Sequence, residues 1–127
     1  MMVIDASAAV LGLLADGEAR TYMAGEPLVC PHLIDSEVVN ALRSQVLRGV
    51  VDRGDAARAI SVWSRLGIER IGARGLLDRV WELRENLTGY DATYVAVAEA
   101  LDAPLLTADG RLARAPGPRC TITVVRR

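Results

Sequence analysis

The sequence predicts an α/β fold, a three-layer α/β/α domain built on a parallel sheet of about five strands. Three observations carry this expectation. Short apolar runs are separated by stretches of helical period, the pattern of a parallel sheet covered on both faces. Hydrophobic residues make up 51% of the chain and charged residues 24%, which excludes disorder. The length of 127 residues fits one domain, spanning 1–127, that can bury a core without disulfides or a structural metal.

Each element follows from its residues. Met2-Val3-Ile4-Asp5 reads as a buried strand, after which Ser7 offers a cap for a helix over 8–15. Asp16 and Gly17 break that period, and a second short helix ends near Met23. A strand over 27–30 is closed by Pro31. Over 33–48 the apolar Ile34, Val38, Ala41, Leu42 and Val46 recur every three or four residues, a helix that Gly49 ends. A further helix over 54–66 carries Ala56, Ala59, Ile60 and Trp63 on its stripe, and a brief strand follows over 68–71. The helical period returns over 76–87 until Thr88-Gly89 interrupts it. Residues 91–101 form the cleanest amphipathic helix, and strands over 104–107 and 121–125 complete the sheet. No internal repeat, low-complexity segment or linker divides the chain. Aromatics are 4% with no Phe, so the core is built from Ala, Val, Leu and Ile.

Several function classes are excluded by what is missing. All fifteen cations are Arg, so P-loop NTPases, Schiff-base enzymes and phosphotransfer folds that pair a Lys with an Asp do not fit. The single His32 cannot build a His-rich metal site and reads as a surface residue. Cys30 and Cys120, far apart and without a C-x-x-C, read as small core residues of a reduced, cytoplasmic protein. No apolar run approaches the ~18 residues of a membrane span and no leader pattern precedes Val3. The net charge of −1 rules out bulk positive charge as the basis of nucleic-acid binding.

Four acids stand out. Asp5 follows the apolar run Val3-Ile4, and Asp109 lies two positions beyond the strand ending at Thr107. In a parallel α/β sheet both fall at the carboxyl ends of strands, over the ligand crevice, although Asp is also a common turn residue and helix cap there. Glu37 lies three residues after Ile34 and four before Ala41, beside the buried stripe, and alone would be a boundary residue. Asp91 opens its helix and alone reads as a dipole acid. As a set they mean more. Unit charges ~4 Å apart repel by roughly 4 kcal/mol per pair at an effective dielectric near 20. A protein holds such a group together by protonating some members or by binding a cation. Oxygen ligands without His or Cys select Mg²⁺ or Mn²⁺, whose chemistry next to phosphate oxygens is phosphodiester hydrolysis. Spacing alone does not establish that the four converge.

These residues also carry a resemblance. Val3-Ile4-Asp5-Ala6-Ser7-Ala8, Leu33-Ile34-Asp35-Ser36-Glu37-Val38-Val39-Asn40-Ala41-Leu42, Tyr90-Asp91-Ala92-Thr93-Tyr94-Val95, and Leu105-Leu106-Thr107-Ala108-Asp109-Gly110-Arg111-Leu112 resemble the PIN domain, and within it the bacterial VapC-type toxins. The match spans essentially the whole chain in order. The resemblance implies a Mg²⁺- or Mn²⁺-dependent endoribonuclease with Asp5, Glu37, Asp91 and Asp109 as its acidic site. It further implies a homodimer and a cognate VapB-type antitoxin whose C-terminal segment enters the acidic groove. Ser7, Asn40 and Thr107 match small polar positions near that site.

The remaining surface adds detail. Fifteen Arg against the twelve other acids leave +3, a mildly basic surface for RNA phosphates, with Arg43, Arg111 and Arg114 chosen because they closely follow acidic segments. Trp63 and Trp81 are expected in the core or at a subunit contact. A strand-end phosphatase or receiver is disfavoured by Ser7 in place of a second Asp and by the absence of Lys. A non-toxin PIN nuclease and a PIN-like module that binds RNA or protein without cutting stay open at this point.

Overall fold

The computed structural model of the protein describes residues 1–126. Five strands form one sheet: β1 Met2–Ile4, β2 Leu28–Pro31, β3 Glu69–Ile71, β4 Leu105–Thr107 and β5 Ile122–Val124. Their order across the sheet is β3-β2-β1-β4-β5, and every pairing is parallel. The central β1, β2 and β4 are buried along their whole length, whereas β3 and β5 at the edges are partly exposed. That is why the three central strands read as plain apolar runs. Pro31 lies inside β2 as its last residue, paired with Ile71, and does not stand outside it.

The helices are α1 Ala6–Leu14, α2 Glu18–Gly25, α3 Ile34–Leu47, α4 Arg53–Arg65, α5 Leu77–Glu82, α6 Gly89–Ala100 and α7 Gly110–Arg114, with a 3-10 turn over Arg74–Leu76. Two cap assignments differ from expectation. Asp5, not Ser7, caps α1, because β1 ends at Ile4 and the helix begins at Ala6, two residues before the start that a Ser7 cap requires. Thr88 caps α6 by accepting from the Asp91 N–H at 3.1 Å, so the helix begins inside the predicted break. The helix predicted over 76–87 stops at Glu82, where the chain tightens into three-residue turns such as Leu83 N–H to Val80 O. Helix α7 was not anticipated; it is a five-residue turn opened by Asp109 and Gly110.

Helix α6 is the centre of the molecule. Every residue from Ala92 to Ala98 is buried, as the helix packs against β1, β2, β4 and α5. It is therefore apolar all round and not amphipathic. Trp63 is buried at 4% exposure, but Trp81 is 68% exposed and lies outside the core. Among the described residues no helix is long and apolar enough to cross a membrane.

Candidate active site

The strand order places the site. Having laid β2 and β3 on one side of β1, the chain returns to lay β4 and β5 on the other, so β1 and β4 flank the reversal point. Crevices at the carboxyl ends of strands at such points are where α/β sheets bind ligands. Val3 pairs with Leu105 and Ile4 with Leu106, and the Asp5 N–H donates to Leu106 O at 3.0 Å, which continues the register to Asp5 beside Thr107.

Asp5 is 5% exposed and fully engaged. Its Oδ1 accepts from Ser7 Oγ at 2.7 Å and from the Ala8 N–H at 3.0 Å, and its Oδ2 accepts from Thr107 Oγ1 at 2.5 Å. Each hydroxyl has one proton, and both are committed to Asp5. The 3.2 Å approach of Ser7 Oγ to Thr107 Oγ1 is thus proximity and not a second donation. Their lone pairs serve the next loop instead. Ser7 Oγ accepts from the Ala108 N–H at 2.9 Å, and Thr107 Oγ1 from the Asp109 N–H at 3.0 Å. Two small hydroxyls therefore tie the Asp5 carboxylate to the backbone that carries Asp109.

The other three acids come from three further elements. Glu37 projects from the first turn of α3, half-buried, and its Oε1 accepts from Tyr94 Oη at 2.6 Å. Asp91 lies in the first turn of α6, and among the described residues no side-chain or backbone donor engages its carboxylate. Asp109 caps α7 by accepting from the Arg111 N–H at 2.9 Å, and the Arg111 guanidinium closes over it at 3.2 and 3.1 Å.

Their charges couple in sequence across the edge of the sheet. Burial pushes the Asp5 carboxyl above its usual range against the pull of its three hydrogen bonds, and the Asp91 charge adds to the rise. Burial likewise raises Glu37, opposed by the Tyr94 hydrogen bond and reinforced by Asp91 and Asp5. Asp91 is raised by burial and then by Asp109. Asp109 goes the other way, held below its usual range chiefly by the Arg111 hydrogen bond. Asp91 is thus the common partner, coupled to Glu37, Asp5 and Asp109, and Glu37 is coupled to Asp5 as well.

As they stand, no three His, Cys, Asp or Glu among the described residues are arranged to hold a metal ion. Both Asp5 oxygens, Glu37 Oε1 and both Asp109 oxygens accept from protein donors. The donor set is nonetheless all hard oxygen, which fits a divalent ion of the Mg²⁺ class and no softer metal. The contact that most directly competes is Arg111, whose side chain is 85% exposed and free to swing away.

The remaining sequence candidates divide. Arg114 lies close enough to Asp109 to lower its pKa. Asn40 is exposed on α3 and bonds to none of the four acids among the described residues. Arg43 stands six residues beyond Glu37, about 240° round the helix. It lines an apolar groove between α3 and α4 with Val39, Leu42, Arg53 and Ile60, away from the acidic edge. Following an acid closely in sequence does not place an Arg on the same helix face. Tyr94 is the site residue that sequence reasoning passed over.

A parallel five-stranded sheet with acids gathered over its central carboxyl edge defines a class, and the comparisons agree. The family model described as PIN domain matches residues 2–118, and the chain belongs to that family. Within it, the chain is similar to VapC ribonucleases. It is 49% identical to Ribonuclease VapC9 of Mycobacterium tuberculosis H37Rv over 127 residues, covering all of both chains. Among solved structures, PAE2754 of Pyrobaculum aerophilum superposes with a TM-score of 0.71 at 29% identity, over 95% of this chain and 81% of that one. VapBC2 of Rickettsia felis, bound to a DNA fragment from its promoter, superposes with a TM-score of 0.70 at 12% identity over 98% of each, a likeness of fold.

Proposed function

We propose that this chain is a Mg²⁺- or Mn²⁺-dependent endoribonuclease, the toxin of a VapBC-type pair, with Asp5, Glu37, Asp91 and Asp109 as its catalytic acids. The observation that supports this reading is that Ser7 and Thr107 join Asp5 to the Asp109 loop at the carboxyl ends of β1 and β4, with Glu37 and Asp91 in the first turns of α3 and α6 and coupled to Asp5. The similarity to ribonucleases over the whole chain supports it. In the same reading residues 1–127 act as one cytoplasmic domain, assembled as a homodimer and restrained by a VapB-type antitoxin.

The chain's own residues divide the work. Asp5 provides a negative charge fixed in place, because two hydroxyls and one N–H prevent its carboxylate from turning. Asp91 and Glu37 Oε2 present oxygens that no protein donor in the described residues holds. Together with Asp5 and Asp109, these carboxylates would hold a divalent cation. Such an ion, when bound, lowers the pKa of a water and stabilises charge on a phosphodiester. The proton that the attacking water gives up would pass to a carboxylate oxygen of this set that does not hold the ion. Arg111 and Arg114 flank Asp109 and offer donors to the backbone phosphates of an RNA strand. The hydrolysis needs no covalent intermediate.

Purified protein incubated with mixed small RNAs and Mg²⁺ or Mn²⁺ tests the reading. Cleavage by wild type and none by Asp5→Asn supports it. Equal cleavage by both overturns it, and binding without cleavage favours a PIN-like module that holds RNA.

A further inference from the structure

We propose that Tyr94 is the positioning residue of the acidic site, holding the Glu37 carboxylate toward Asp5 and Asp91. The inference rests on the nuclease reading above.

Tyr94 sits on α6 three residues after Asp91, which puts the two on neighbouring positions of one helix face. It is 2% exposed, among the largest fully buried side chains of the protein. Trp63 is the other buried aromatic of the core, and the Tyr94 ring has one polar atom to satisfy. That atom donates to Glu37 Oε1 at 2.6 Å, across 57 residues of sequence and from a different helix. A phenol hydroxyl has one proton, and here it is committed to the Glu37 carboxylate.

The geometry fixes more than a contact. Glu37 has three side-chain torsions and is half-buried, so without a partner its carboxylate would rotate away from Asp5 and Asp91, whose charges repel it. A buried ring cannot follow that motion. The hydrogen bond engages one oxygen and leaves Oε2 as the working atom. One helix then supplies both Asp91 and the clamp on Glu37, so the packing of α6 on the sheet sets the spacing of the two acids.

The test uses the intact protein and two readouts, Mn²⁺ affinity by electron paramagnetic resonance and steady-state RNA cleavage. Tyr94→Phe keeps the ring and removes one hydrogen bond to a charged group, a loss worth about tenfold. We expect Mn²⁺ affinity and kcat to fall by about that factor, with KM for RNA little changed. In a Glu37→Gln background the same substitution should add nothing, because Tyr94 acts through Glu37. Unchanged Mn²⁺ affinity in Tyr94→Phe, or a loss that is additive with Glu37→Gln, overturns the positioning role and leaves the nuclease reading standing. The Mn²⁺ arm does not require cleavage. A wild type that cuts no RNA, with Mn²⁺ binding weakened by Tyr94→Phe, overturns the nuclease reading and supports the positioning role.

Discussion

Thr107 Oγ1 donates to Asp5 Oδ2 across 102 residues of sequence, joining the carboxyl ends of the two strands at the sheet's reversal point. Thr107 is fully buried, and among the described residues Asp5 has two other donors. Thr107→Val keeps the shape and removes both the donor to Asp5 and the acceptor of the Asp109 N–H. It should destabilise the protein at neutral pH by about 1.5–3 kcal/mol, the worth of a hydrogen bond to a buried charge. Urea unfolding measures this, and an unchanged midpoint would mean that Asp5 is neutral in the folded protein.

The raised acids make a prediction of opposite sign for Asp91. Its folded pKa lies above the unfolded value near 3.8, so the folded state binds the proton more tightly. The contribution is complete below the unfolded pKa and is lost as pH rises through the folded one. At pH 7 without metal, the charged Asp91 therefore costs stability. Asp91→Asn should raise the Tm of metal-free protein by about 3 °C, a modest shift because the group is half exposed. The gain should vanish near pH 3.5, and a lower Tm for the variant at pH 7 would contradict the electrostatic account.

Asp109 is the acid already neutralised by a neighbour. Arg111→Ala removes the guanidinium that closes over it. Mn²⁺ should then bind about threefold more tightly, since an exposed pair contributes under ~1 kcal/mol. KM for RNA should rise as a phosphate contact is lost. Parallel weakening of both would show that Arg111 supports the site and does not compete within it.

Away from the acids, Gly12 lies where α1 packs against α2. A Cβ there would push aside Met23 Sδ, part of a flexible, half-exposed side chain, and would lie 3.3 Å from the Arg20 backbone nitrogen, which must give by a few tenths of an ångström. Ala improves helix propensity by about 1 kcal/mol. Overpacking costs about 1–3 kcal/mol and should exceed that gain. Thermal unfolding of Gly12→Ala should give a lower Tm, with RNA cleavage intact.

The sequence made the sheet legible because its central strands are buried on both faces, so Val3-Ile4 and Leu105-Leu106 show as unbroken apolar runs. Caps were less legible. Ser7 and Asp5 are both good cap residues, and only the end of β1 decides between them. Helix α7 has five residues, too few to show a period. Among the acids, Glu37 was visible from its offset beside a buried stripe, but its partner Tyr94 was not. A Tyr in a buried apolar helix reads as core. The available signal was its three-residue spacing from Asp91 in a chain with few aromatics.

A calorimetric titration of Mn²⁺ into metal-free wild type, Asp5→Asn and Asp91→Asn asks most directly whether side chains from β1, α3, α6 and the β4–α7 junction make one cation site. Saturable binding by wild type, weakened about tenfold or more by either substitution, is the predicted result. Equal affinity in all three proteins, or no binding by wild type at millimolar Mn²⁺, would contradict it.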